Sequence, residues 1–319
     1  MSRLPPAAAA LRRPGDALPR ASIGVVPIVW NNADLTDLSP LVPAATVLDE
    51  VARLGYEGCQ LGRGFPDGTE LRDALAARGL RLAEVYAALP CGPDGPLPAA
   101  GAAGRERLAA LHTAGGEVLV VALDGSPERD AVAGRAAAAE APRLSEEGWR
   151  RLAALLDELA QEAQAAGHRL AFHNHTGTYV ETAGELDRLV GSTSPGVGVC
   201  LDVGHLLVGG GDPVAALRRH GERVVHVHLK DVDREVLARL RGGALPGFTA
   251  AIAERLFTEL GSGVLDLPGV VAELAARDYA GWLMVEQDTC WGPPSESAAI
   301  GRRVLAYVLR DAGRQPAAA

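Results

Sequence analysis

Aromatic side chains are scarce, at 4% of the 319 residues. The core must therefore be filled by Ala, Val and Leu, within a chain that is 48% apolar. Cysteine is also sparse. Cys59, Cys91, Cys200 and Cys290 stand far apart with no CxxC pair, so no zinc knuckle is expected. Cys59 and Cys200 sit in apolar runs, where a free thiol behaves as a small hydrophobe. The simplest setting is a reducing cytoplasm. No run approaches the ~20 apolar residues of a membrane span. Positive charge is in deficit, with 31 Lys and Arg against 40 Asp and Glu, a net charge of −9. That opposes a nucleic-acid partner, which would favour a basic face. It suits a small, uncharged or cation-assisted substrate. A phosphate-binding loop is missing too: Gly209-Gly210-Gly211-Asp212 has no Lys-Ser/Thr, and reads as a turn with Asp212 capping a helix.

What is present is a regular alternation. Residues 1–21 are rich in Ala, Pro and Arg and read as a disordered tail. Arg12-Arg13 is followed by Pro14, Gly15 and Asp16 and not by an apolar stretch, so it is no export signal. Strand-like runs then fall at residues 22–30, 56–62, 80–89, 118–123, 168–172, 198–201, 224–229 and 279–285. Helical spacing follows each. Ser145, with Glu146 and Glu147 behind it, starts the longest helix, which stops at Gly167. Eight strand–helix units predict parallel pairing and an α/β class, a closed (β/α)8 TIM barrel over residues 22–313 with a short disordered tail at 314–319. A doubly wound open sheet is the alternative, but it would gather a ligand at one switch point. Residues 233–263 are too long for an ordinary loop and contain helical pieces. Following the seventh strand, they predict a helical rim insertion that serves as a lid or a contact between copies in a homo-oligomer.

The strand ends are polar. His173 and His175 are two apart, as are His226 and His228, so each pair shares a strand face. His205 follows Asp202, and Glu286 and Asp288 close the last strand. A lone histidine in such a place is more often a hydrogen-bonded rim residue. Five histidines among carboxylates are another matter, because burying them together without a cation is unfavourable. Imidazole and oxygen donors from separate strands suit Mn²⁺, Co²⁺, Zn²⁺ or Fe²⁺. Lys230, two beyond His228, reads either as an inward ammonium or as a solvated pair with Asp231. Glu84, inside an apolar strand, reads as a substrate contact or a core salt bridge. Trp30-Asn31-Asn32, at the first strand end, could stack on and hydrogen-bond a polyol ring, or form a turn.

Asp202-Val203-Gly204-His205 and His226-Val227-His228-Leu229-Lys230-Asp231 resemble the Asp-x-x-His and His-x-His-x-Lys-Asp of the xylose isomerase-like barrel superfamily. The resemblance spans roughly residues 22–310. It is strongest with the inosose dehydratases of inositol catabolism, through residues 27–34, Gln60-Leu61-Gly62, His173-Asn174-His175, residues 257–268 and residues 281–288. It implies a divalent metal on His173, Asp202, His228 and Glu286, with His173 standing where many members have Glu. Mn²⁺ or Co²⁺ is the foremost expectation, then Zn²⁺, Fe²⁺ or Mg²⁺. The implied reaction is dehydration of a cyclic keto-polyol: α-proton abstraction, an enediolate, and loss of the β-hydroxyl as water. His175, His205 and Lys230 are the acid/base candidates, with Glu181 more remote. Trp30, Asn31, Gln60, Glu84 and His226 are the expected substrate contacts, Gln60 replacing a Glu common in that subgroup. Isomerisation or epimerisation of a keto-sugar by the same metal is the alternative. A repair nuclease would need a basic groove, and a non-catalytic polyol-binding protein would show no turnover.

Overall fold

The computed structural model describes residues 16–33, 35–36 and 40–314. Eight strands close into a barrel: β1 Ser22–Val25, β2 Gly58–Gln60, β3 Arg81–Leu89, β4 Val118–Leu123, β5 Arg169–His173, β6 Val197–Asp202, β7 Val224–Leu229 and β8 Trp282–Val285. Every neighbouring pair is parallel, and β1 meets β8 to seal the ring. The crossover helices are α1 Ala44–Arg53, α2 Gly68–Ala76, α3 Ala100–Ala114, α4 Glu146–Ala165, α5 Ala183–Ser192, α6 Pro213–His220, α7 Leu267–Ala275 and α8 Pro294–Ala312. None of the described helices is long and apolar enough to cross a membrane.

Local chemistry sets the boundaries. The Ser145 hydroxyl accepts from Gly148 N–H (3.0 Å) and opens α4. Thr182 and Glu185 form a reciprocal capping box on α5. Asp212 caps α6 through Val214 and Ala215 N–H, as its glycine-rich approach predicts. The first strand is shorter than expected. Pro27 has no N–H to continue a ladder, and residues 27–29 turn into a 3-10 helix instead. A short helix, Val203–Val208, starts directly at Asp202 and went unforeseen. Of the tail expected over 1–21, residues 1–15 lie outside the described residues, as do 315–319. Leu18 and Ala21 are buried, and Ala17 N–H donates to the Leu309 carbonyl (3.0 Å), so this segment packs on α8 ahead of Ser22.

Most of the core lies between the barrel and its helices. The barrel's interior is plugged by Trp282 and Met284 of β8 with Val26 and Ala83. Glycines opposite make the room: a Cβ on Gly58 would lie 2.7 Å from the Trp282 ring, and one on Gly24 would lie 2.5 Å from the Met284 sulfur. One indole thus does work that several smaller side chains would otherwise share, burying roughly 3 kcal/mol worth of apolar surface.

Beyond β7 the chain makes a two-residue ribbon, Asp231–Val232 with Phe257–Thr258, around the helices Arg234–Arg241 and Phe248–Ala253. This insertion has its own apolar cluster, including Leu237, Leu240, Phe248 and Phe257. Its return is fixed by Asp231, whose carboxylate accepts from the N–H groups of Val232, Gly261, Gly263 and Leu265 at 2.8–3.0 Å. Asp231 is therefore buried and structural, not half of a solvated pair.

Candidate metal centre

Four successive strand ends converge. His173 closes β5, Asp202 closes β6, His228 is next to last in β7, and Glu286 follows β8. One donor atom from each lies within 4.8 Å of all the others. His173 Nε2 is 3.4 Å from Asp202 Oδ2, and His228 Nδ1 is 3.8 Å from the same oxygen and 2.7 Å from Glu286 Oε2. All four side chains are buried, yet among the described residues Asp202 Oδ2, His228 Nδ1 and Glu286 Oε2 make no hydrogen bond of good geometry, close as they lie. Buried lone pairs left facing one another are unfavourable. Two imidazoles and two carboxylates fit a divalent ion of the Mn²⁺ to Zn²⁺ series. Cys200 also comes near His173 and His228, but burial pushes its thiol up to about 12, so it offers no thiolate.

Beneath this set lies Glu84 of β3. It contacts His226 Nε2 and accepts from His228 Nε2 at 3.0 Å. Burial alone would raise the Glu84 carboxyl, but the imidazoles of His228 and His226 override it and hold it at about 2. Glu84 and His226 are fully buried. Both were expected to touch substrate. His226 stands two residues before His228 in β7, and Glu84, bonded to His228 Nε2, fixes which way that ring points.

Beside the four donors stands a second group. His175 and His205 stack with ring centroids 3.9 Å apart. His175 Nδ1 is 2.8 Å from the Thr176 carbonyl, and His205 Nδ1 is 3.0 Å from Thr176 Oγ1. Lys230 Nζ lies 3.0 Å from His205 Nε2, 2.7 Å from Asp288 Oδ1 and 3.2 Å from Glu286 Oε1. Burial, then His173 and Lys230, push His175 down to about 3. Burial, then His175 and Lys230, hold His205 well below the usual imidazole value. Lys230 resists burial because Asp202, Asp288 and Glu286 keep it well above the ordinary ammonium value. The insertion roofs this group. Phe248 lies edge-on to His175 at 5.7 Å, and Lys230 Nζ sits 4.7 Å from the Phe257 ring centre. Neither phenylalanine was anticipated, and Asp288, noted beyond the last strand with Glu286, was given no role.

Residues 48–308 match the family described as xylose isomerase-like TIM barrel. The chain belongs to that family. It is 36% identical to the rhizopine catabolism protein MocC of Rhizobium meliloti over 306 residues, 93% of this chain and 91% of that one. It is also 36% identical to the inosose dehydratase of Geobacillus kaustophilus over 290 residues, 89% of this chain and 93% of that one. Among solved structures, an L-ribulose 3-epimerase superposes with a TM-score of 0.69 at 19% identity, covering 92% of this chain and 96% of that one. The IOLI protein, solved with a zinc atom bound, superposes with a TM-score of 0.67 at 13% identity, covering 91% and 98%.

Within this xylose isomerase-like barrel the remaining expected contacts fare differently. Trp30 is buried, and its indole N–H donates to Glu50 of α1 (2.6 Å). The Asn31 amide is consumed by its own loops: it donates to the Val42 and Arg63 carbonyls and accepts from Val42 N–H. Gln60, at the end of β2, is half-buried and its side chain has no hydrogen-bond partner among the described residues, which leaves it the open contact of the group. The Glu181 carboxylate accepts from Gly177 and Gly134 N–H, each at 2.8 Å.

Proposed function

We propose that the protein is a divalent-metal-dependent hydro-lyase acting on a cyclic keto-polyol, as an inosose dehydratase does. The reading rests on the convergence of His173, Asp202, His228 and Glu286 beside an imidazole–ammonium wall. It is supported by relatives named for inosose dehydration and rhizopine catabolism. A cation held by those four would act as a Lewis acid on the substrate carbonyl. The chain's own groups supply the rest. The Thr176 carbonyl can only accept, so His175 carries its proton on Nδ1 and keeps the Nε2 lone pair. His175, held neutral at working pH, is the base that takes the α-proton. Lys230 Nζ lies 3.0 Å from His205 Nε2, while His205 Nδ1 accepts from Thr176 N–H (3.2 Å) and lies 3.0 Å from Thr176 Oγ1. His205 thus aims the ammonium, and Lys230 assists the departing hydroxyl. The roof of Phe248 and Phe257 keeps bulk water off the wall.

Because proton acceptors cluster on one wall, loss of water fits better than two-sided epimerisation. The decisive assay incubates Mn²⁺-loaded protein with inososes and ketohexoses and reads product mass. Loss of one water supports the proposal; unchanged mass with altered stereochemistry would move the reading to the epimerases. Full metal occupancy in Asp202→Ala or His228→Ala protein would refute the centre. His175→Gln should lose about 10²- to 10⁴-fold in kcat with metal content unchanged.

A further inference from the structure

The buried ammonium of Lys230 poses an electrostatic problem. It is 1% exposed and lies 3.2 Å from Glu286 Oε1 and 3.5 Å from Asp202 Oδ2. Both carboxylates belong to the four-donor set. A built-in cation therefore stands within reach of the anions a divalent ion would need. A third carboxylate, Asp288, is 3% exposed and lies closer to Lys230 Nζ than either, at 2.7 Å. It lies outside the groups of donors that converge on the centre. Another close neighbour, His205 Nε2, is uncharged, and Phe257 covers another side. Together Asp202, Glu286 and Asp288 carry three negative charges. One is matched by Lys230, and the excess equals the charge of a divalent ion.

We propose that Asp288 is a positioning residue that holds the Lys230 ammonium to itself, so that Asp202 and Glu286 stay available to a divalent cation. The inference builds on the metal reading above and adds to it the residue that prevents an internal cation from competing. Without Asp288, the only carboxylates beside Nζ among the described residues are the two donors. A buried ammonium does not remain unpaired. It would close on them, and a metal would have to displace it.

The test is a two-residue cycle on the metal-stripped full chain, with Mn²⁺ affinity read by titration calorimetry. Asp288→Asn should weaken Mn²⁺ binding by about 10- to 100-fold. Lys230→Met alone should change it by less than about threefold, and in the Asp288→Asn background should restore it to within about threefold of the unaltered protein. Additive effects, with Lys230→Met raising affinity equally in both backgrounds, would overturn the proposal. So would an unchanged affinity in Asp288→Asn. Should Asp288→Asn not fold, Lys230→Met is compared with the double variant: equal affinities support the proposal, and a tenfold gap overturns it. If the unaltered protein binds no Mn²⁺, the metal reading itself falls and takes this inference with it.

Discussion

Glu181 sits in no water at all, and its carboxylate faces two backbone amides. Burial raises its pKa from 4.5 to about 7, against the pull of Gly177 and Gly134 N–H and of Arg129. The folded protein thus binds this proton more tightly than the unfolded chain. Its contribution is fully present below about 4.5 and is lost as pH rises through about 7. Stability should decline across that window by up to about 3 kcal/mol, and the decline should be missing from Glu181→Gln. Denaturant midpoints of both proteins at pH 5 and pH 8 check this. At the same scale, sequence spacing revealed which residues share a face but not their depth. His226 and His228 are two apart, about 7 Å along the strand. That step separates a donor at the mouth from a side chain locked to Glu84. The partners of Trp30 and Asn31, namely Glu50, Val42 and Arg63, come from other loops and helices and so were not legible from local spacing.

Among the elements, the helix Phe248–Ala253 has no cap of its own, since Gly247 precedes it. Asp130, from the segment after β4, supplies one: its Oδ1 accepts from Thr249 N–H (2.9 Å) and Thr249 Oγ1 (2.7 Å). A Cβ at Gly247 would run into Asp130, so the close approach requires glycine. The roof over His175 is thereby latched to a neighbouring loop. Asp130→Ala should loosen it by about 1 kcal/mol, or about fivefold faster amide exchange across Phe248–Ala253. Exchange in β4 to β8 should stay unchanged, and kcat/KM should fall. An unaltered exchange rate would disprove the latch. The insertion itself was visible as excess length between β7 and α7. The partner that caps it was not, because Asp130 is 119 residues away. Helix starts at Ser145 and Asp212 were legible because their caps are local.

For the whole molecule, the eightfold alternation of apolar runs and helical spacing sufficed to predict a closed barrel, and polar groups on its later strand ends marked the working rim. If those ends hold a cation, binding is linked to folding. Mn²⁺ at 100 times its Kd should add about 2.7 kcal/mol. That should raise Tm by roughly 5 °C, an increase reversed by chelator and missing from Asp202→Ala. The other end of the axis is closed by Trp282, Met284, Val26 and Ala83, with the indole N–H held by Glu117 (2.9 Å). With that floor shut, the donors sit toward the end of the barrel that the Phe248–Ala253 helix overhangs. Anything that approaches the donors from that side passes beside Phe248, so the size of this one side chain should set how bulky a molecule can reach them.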